Sequence, residues 1–134
     1  MSSDVNIKTI QQVYDAFGRG DVAAILEVIH DDVDWASEAA SRVAPWYGVR
    51  RGKDGVAGFF EALGSTMQVE EFTPLSFAAN DSDVFSVVRF RATARATGKT
   101  AAMDLHHFFT FRDGKIVYYR GTEDTAQTLE VLST

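Results

Sequence analysis

Apolar side chains recur at helical spacing near the start of the chain, at Ile7, Ile10, Val13, Tyr14 and Phe17. Ser3 and Asp4 are candidate caps for this helix, and Gly18-Arg19-Gly20 ends it. Asp21 is placed to cap a second helix with Val22, Ile25, Leu26 and Ile29 on its apolar face, which makes a short helical hairpin. The period breaks at "HDDVDWAS", where residues 33–37 form a short strand. The following "EAASRVAPWYGVRRG", punctuated by Pro45 and Gly48, is predicted as loop. Val56, Phe59, Phe60, Leu63 and Met67 outline a third helix, in which Gly55 and Gly58 each cost up to about 1 kcal/mol relative to alanine. Burial of its apolar face has to compensate.

From residue 69 the rhythm changes to period two. The segments "VEEFTPLSFAAN", "DVFSVVRFRATARATG", "KTAAMDLHHFFTFRDG" and "KIVYYRGTE" are strand-like and are separated by the turn signals Asn80-Asp81-Ser82, Gly98-Lys99 and Asp113-Gly114. In the second segment Val84, Val88, Phe90, Ala92 and Ala94 share one parity, while Arg89, Arg91 and Arg95 take the other. One face is therefore wet, and a single curved antiparallel sheet follows. "DTAQTLEVL" closes the pattern with a short helix capped by Asp124 or Thr125. With no repeats, low-complexity tracts or linkers, residues 1–134 constitute one α+β domain with helices on one face of the sheet.

Composition narrows the function classes. A chain of 134 residues, 46% hydrophobic and 24% charged, has the balance of a soluble globular domain. The net charge of −6 and the absence of a basic block longer than Arg50-Arg51 exclude a phosphate-tracking nucleic-acid surface. No run approaches the roughly 18 apolar residues of a membrane span, and no leader-like pattern opens the chain, so a cytoplasmic protein that binds no membrane is expected. The lack of cysteine removes disulfides and thiolate metal sites. Three scattered histidines offer no metal-ligand spacing, and no glycine-rich phosphate loop follows a strand, so neither a metal nor a nucleotide cofactor is expected.

Candidate chemistry centres on "MDLHHFFTF". Met103, Leu105, His107, Phe109 and Phe111 share the more apolar parity, and Asp104, His106, Phe108 and Thr110 share the other. His107 is thus the inward histidine. An imidazole in an apolar cavity is neutral, because desolvation lowers its pKa, and a neutral imidazole can donate to a carbonyl or an enolate.

The order of elements, with "VYDAFGRGDVAAILEVIHDDVDW", "YGVRRGKDGVAGFFEAL" and "HFFTFRDGKIVYYRGTED", resembles the SnoaL-like branch of the NTF2-like superfamily, which also includes ketosteroid isomerase, scytalone dehydratase and limonene epoxide hydrolase. The resemblance covers nearly the whole chain. It implies a cone in which N-terminal helices and a strongly curved antiparallel sheet enclose a pocket. It also implies a homodimer formed through the outer sheet face, where His106 and Phe108 would lie. By this resemblance His107 stands where isomerase-like members carry the acid of their oxyanion hole, and where cyclases of the branch tend to carry histidine. Tyr14 lies near the family's first-helix tyrosine. Ser37 takes the place of the isomerase base, with Glu38 one residue on, and Gly121 takes the place of an acid that the cyclases carry on the last strand.

The expected catalytic set is His107 and Tyr14 for an oxyanion, with Glu38 or Asp34 to move the proton. Trp35, Trp46, Phe60, Met103 and Tyr119 are expected to line the site of a small hydrophobic molecule. The resulting reading is a cofactor-independent isomerase, cyclase or dehydratase-like enzyme acting on a carbonyl compound. The competing reading is a module that keeps the pocket and binds its ligand without chemistry, which Ser37 and Gly121 favour. Epoxide hydrolysis ranks last, because no inward arginine stands between two acids.

Overall fold

The period-two segments from residue 67 onward form the body of the structure, a computed structural model that describes residues 3–134. β3 (Met67–Ala79), β4 (Asp83–Ala94), β5 (Thr100–Arg112) and β6 (Lys115–Thr122) pair as an antiparallel meander. Burial alternates along β4 as the pattern requires, with Val84, Ser86, Val88, Phe90, Ala92 and Ala94 all buried. The β5–β6 turn has Asp113 at φ 56° and Gly114 at φ 77°. Two consecutive positive φ values are the geometry whose twist matches a two-residue hairpin.

Two further strands complete a six-stranded sheet in the order β2-β1-β6-β5-β4-β3. β1 (Ile29–Ser37) runs parallel to β6, so the sheet is antiparallel apart from this pair. β2 is only Arg50–Arg51, paired with Asp34 and Trp35, and two residues are too few to carry a period through the predicted loop. β1 begins earlier than the pattern predicts. α2 (Val22–Leu26) stops at Leu26, and Ile29, expected on its apolar face, is already a strand residue opposite Ile116. Met67 shifts in the same way. Its N–H still caps α3 (Gly52–Thr66) by donating to the Leu63 carbonyl, while its backbone is extended and pairs with Ala94.

α1 (Ser3–Gly18) buries Ile10, Val13 and Tyr14 against the sheet, and α3 buries Val56 and Phe59. Ser3 and Asp4 lie inside the first turn of α1, and the position before them falls outside the described residues. Asp21 and Asp124 cap α2 and α4 (Thr125–Leu132) by accepting from the Ala24 and Gln127 N–H groups. The two glycines that weaken α3 have a steric reason. A β-carbon at Gly55 would lie 3.2 Å from the Arg50 β-carbon, and one at Gly58 would lie 2.9 Å from an Arg50 guanidinium nitrogen. The helix crosses β2 at close range, so a side chain at Gly55 would press on the Arg50 backbone and one at Gly58 would displace the Arg50 guanidinium. Among the described residues no helix is long and apolar enough to cross a membrane.

Candidate active site

Three polar side chains meet beneath the apolar face of α1. Ser86 on β4 and His107 on β5 are register partners, both on the inner parity. Tyr14 descends between them, its hydroxyl 2.5 Å from Ser86 Oγ and 2.7 Å from His107 Nδ1. The tyrosine ring is fixed edge-on against Phe72 at 5.1 Å and packs on Phe77 and Phe109. Burial pushes the Tyr14 hydroxyl far above its usual range, so it stays protonated. Burial, and secondarily the neighbouring His106, holds the His107 imidazole down at about 3, so it is neutral.

Proton accounting orders this chain. With Ser86 donating to Tyr14 and Tyr14 donating to Nδ1, each hydroxyl proton has an acceptor, and the imidazole carries its own proton on Nε2. The opposite polarity would leave the buried Ser86 hydroxyl proton without a partner among the described residues, at a cost of about 1–3 kcal/mol. The Nε2 edge of the ring has no hydrogen-bond partner among the described residues. It is turned toward Gly121, the residue paired with His107 across the sheet. His107 thus presents a spare N–H, braced from behind by two hydroxyls.

His107 lines a cavity of about 70 Å³. Its walls are chiefly aromatic and apolar: Trp35, Phe59, Phe60, Phe72, Phe109 and Tyr119, with Trp46 and Leu105. Trp35 and Tyr119, paired across β1 and β6, stack with ring centroids 4.1 Å apart. The indole N–H of Trp35 is buried without an acceptor among the described residues. A side chain at Gly121 would collide with the Tyr119 hydroxyl and would stand 3.3 Å from His107 Cδ2. Tyr119 therefore occupies the space where the resemblance places a carboxylate. Burial, first of all, keeps its hydroxyl protonated.

The carboxylate that does border the cavity is Glu123. It accepts from Trp46 Nε1 at 3.1 Å, from the Tyr47 hydroxyl at 2.9 Å and from the Thr128 hydroxyl. Trp46 and Tyr47 sit in the segment between β1 and β2, so Glu123 ties that segment across one end of the cavity. The expected bases lie elsewhere. Asp34 pairs with Arg120 at 3.0 Å and with Arg51 at 3.5 Å. Glu38 is mostly exposed and pairs with Arg120 at 3.4 Å. Neither lines the cavity, because Arg120, whose guanidinium also lies 4.4 Å from the centre of the Tyr118 ring, gathers both on the other side of β6. Met103 is likewise outside the lining; it is half-buried, and its sulfur accepts from the Asp124 N–H. His107, Tyr14, Trp35, Trp46, Phe60 and Tyr119 are brought together. Ser86 and Glu123 were not singled out in the sequence. Their signals are faint: Ser86 is the polar residue on the buried parity of β4, and Glu123 continues the inward parity of Tyr119 and Gly121.

The family model described as a SnoaL-like domain matches residues 10–119. Among solved structures, an NTF2-like protein from Burkholderia pseudomallei shares 24% identity over all of both chains with a TM-score of 0.89. An NTF2-like protein from Burkholderia xenovorans shares 23% identity over 99% of each chain with a TM-score of 0.88. TerC, co-crystallized with polyporic acid, shares 26% identity over 97% of this chain and 99% of its own with a TM-score of 0.84. No curated protein matches the chain.

Proposed function

Because the chain belongs to the SnoaL-like domain family, we propose that it is a cofactor-independent enzyme acting on a small hydrophobic carbonyl compound. It moves a proton alpha to the carbonyl in a reaction of the isomerisation, aldol-type cyclisation or dehydration class. The observation that carries this reading is the Ser86–Tyr14–His107 chain, which leaves a spare N–H on a histidine that lines an apolar cavity. As the alpha proton leaves, negative charge develops on the carbonyl oxygen. A preorganised donor in a water-poor site stabilises that charge far more than it stabilises the neutral ground state. Proton transfer falls to Glu123, the carboxylate of the lining, since Asp34 and Glu38 are committed to Arg120. The likeness to TerC, which was co-crystallized with polyporic acid, supports a small organic ligand in this fold.

The second reading, a binding module without chemistry, is favoured by one observation: Glu123 already accepts from three donors, which uses most of the acceptor capacity of a carboxylate. Two experiments separate the readings. Binding of naphthols of graded acidity to the wild type is expected to strengthen with acidity, and the slope is expected to vanish in His107→Ala. Equal slopes in the two proteins remove His107 from the oxyanion site. Exchange of the alpha protons of a small apolar ketone with D₂O, followed by NMR, is expected to be catalysed by the wild type and to fall more than tenfold in Glu123→Gln. Acidity-dependent binding with no exchange leaves the module.

A further inference from the structure

The inner cavity is too small to be the whole site. At about 70 Å³ it is well short of the few hundred Å³ usual for ligand pockets. A second depression of about 590 Å³ lies on the outside, between the ends of α1 and α3 and the start of β3. Cavity and depression share three lining residues, Phe17, Phe60 and Phe72. These rings form the partition between them. Phe17 touches both others, with centroids 5.8 Å from Phe60 and 4.8 Å from Phe72. All three are half-buried, whereas the deeper rings Trp35, Phe59, Phe109 and Tyr119 are buried at 5% exposure or less.

We infer that the outer groove is the vestibule and second half of the ligand site, and that the ligand is an elongated, uncharged, largely apolar carbonyl compound. Its carbonyl end reaches His107, and its remainder passes the Phe17–Phe60–Phe72 partition into the groove. This rests on the proposed carbonyl chemistry for which end enters, but the groove's occupancy is separately testable. The partition is made of side chains packed ring on ring, so it opens by rotation of these rings rather than by movement of a backbone segment. The groove lining carries Arg19, Arg95, Glu70 and Glu71, two charges of each sign, so it presents no net charge that would recruit a charged ligand. Its lining is open at Gly18 and Gly64, both exposed, where an added β-carbon would meet nothing within 4 Å.

Gly64 supplies the test, since it lines the groove and not the cavity, and a β-carbon there would meet no atom within 4 Å. The probes are 4-hydroxyphenyl alkyl ketones with acyl chains of two to eight carbons, whose phenol acidity is nearly constant. Binding is read by quenching of Trp35 and Trp46 in the cavity wall. In the wild type, affinity is expected to rise about two- to fourfold per added methylene as the chain enters the groove, up to the full transfer value of a methylene. In Gly64→Phe the two-carbon member is expected to bind as in the wild type, while the gain per methylene disappears and association of the long members slows at least tenfold. Chain-length gains that survive Gly64→Phe, or that are absent from the wild type, overturn the inference. A chain-length dependence abolished by Gly64→Phe, together with no acidity dependence at His107, keeps the vestibule and overturns the carbonyl chemistry instead.

Discussion

At His107, burial and hydrogen bonding favour the same protonation state, because the low dielectric rejects the imidazolium while Tyr14 supplies a proton to Nδ1. The pH dependence of stability follows. An unfolded chain titrates this histidine near 6.5, and the folded protein titrates it at about 3, so between those values the unfolded state binds a proton that the native state lacks. Stability should therefore fall as pH is lowered from about 6.5 toward 3, by up to about 2 kcal/mol by pH 5. Urea unfolding at pH 7 and pH 5 checks this, with His107→Phe as the reference in which that part of the dependence is missing. Tyr14→Phe tests the relay from its centre. It leaves Ser86 and Nδ1 unpaired in a buried site and should cost about 1–3 kcal/mol. It should also flatten the acidity dependence of naphthol binding, because nothing then fixes the Nε2–H tautomer. The face of His107 was legible from strand parity alone. Its partner was not, since Tyr14 lies 93 residues away on a helix whose packing height over the sheet no periodicity states.

At element scale Gly64, exposed on the outer groove, and Gly121, buried on the inner face of β6, make opposite predictions. Gly64 on α3 has open space around it, so Gly64→Ala should stabilise by about 0.5–1 kcal/mol through helix propensity. Gly121 on β6 lies beneath the Tyr119 hydroxyl, so Gly121→Ala should destabilise by about 1–3 kcal/mol as the ring is displaced. Adding Tyr119→Phe should recover part of that loss, since it removes the nearer clash and leaves the ring carbon 2.9 Å away. Thermal unfolding of the three variants ranks them. The meander was readable because alternation in β4 and β5 and the Asp113-Gly114 turn are local signals. The direction of β1 was not, because its side chains look the same whether β6 runs with or against it. The cost of Gly55 and Gly58 was visible in the sequence, but its cause, the passage of Arg50 across α3, was visible only in the fold.

Across the whole molecule, Glu123 links the end of β6 to the segment that carries Trp46 and Tyr47 and to α4 through Thr128. Glu123→Ala removes the acceptor of all three donors, so hydrogen exchange in residues 39–49 should quicken while the amides of β4 and β5 keep their protection. Uniform acceleration would instead make Glu123 a determinant of global stability. The outer sheet face carries Phe85, which is 46% exposed, beside Phe108 at a ring distance of 4.9 Å, with Tyr118 and Arg120 next to them. A homodimer through this face is the arrangement proposed for the intact protein. Sedimentation should then show a dimer that Phe85→Lys converts to monomer, and a wild-type monomer would refute it.

The sequence by itself determined the order of the four helices and the five longer strands, the wet and dry faces of β4 and the inward turn of His107. These depend on periods of 3.6 and 2 that act over a few neighbouring residues. Only the tertiary structure decided which polar groups meet. It brought Tyr14, Ser86 and His107 together, drew Asp34 and Glu38 to Arg120, left Glu123 as the carboxylate at the cavity, and filled the space above Gly121 with Tyr119. Those outcomes turn on side-chain volumes and on competition among charges and donors far apart in the chain, which no local pattern records.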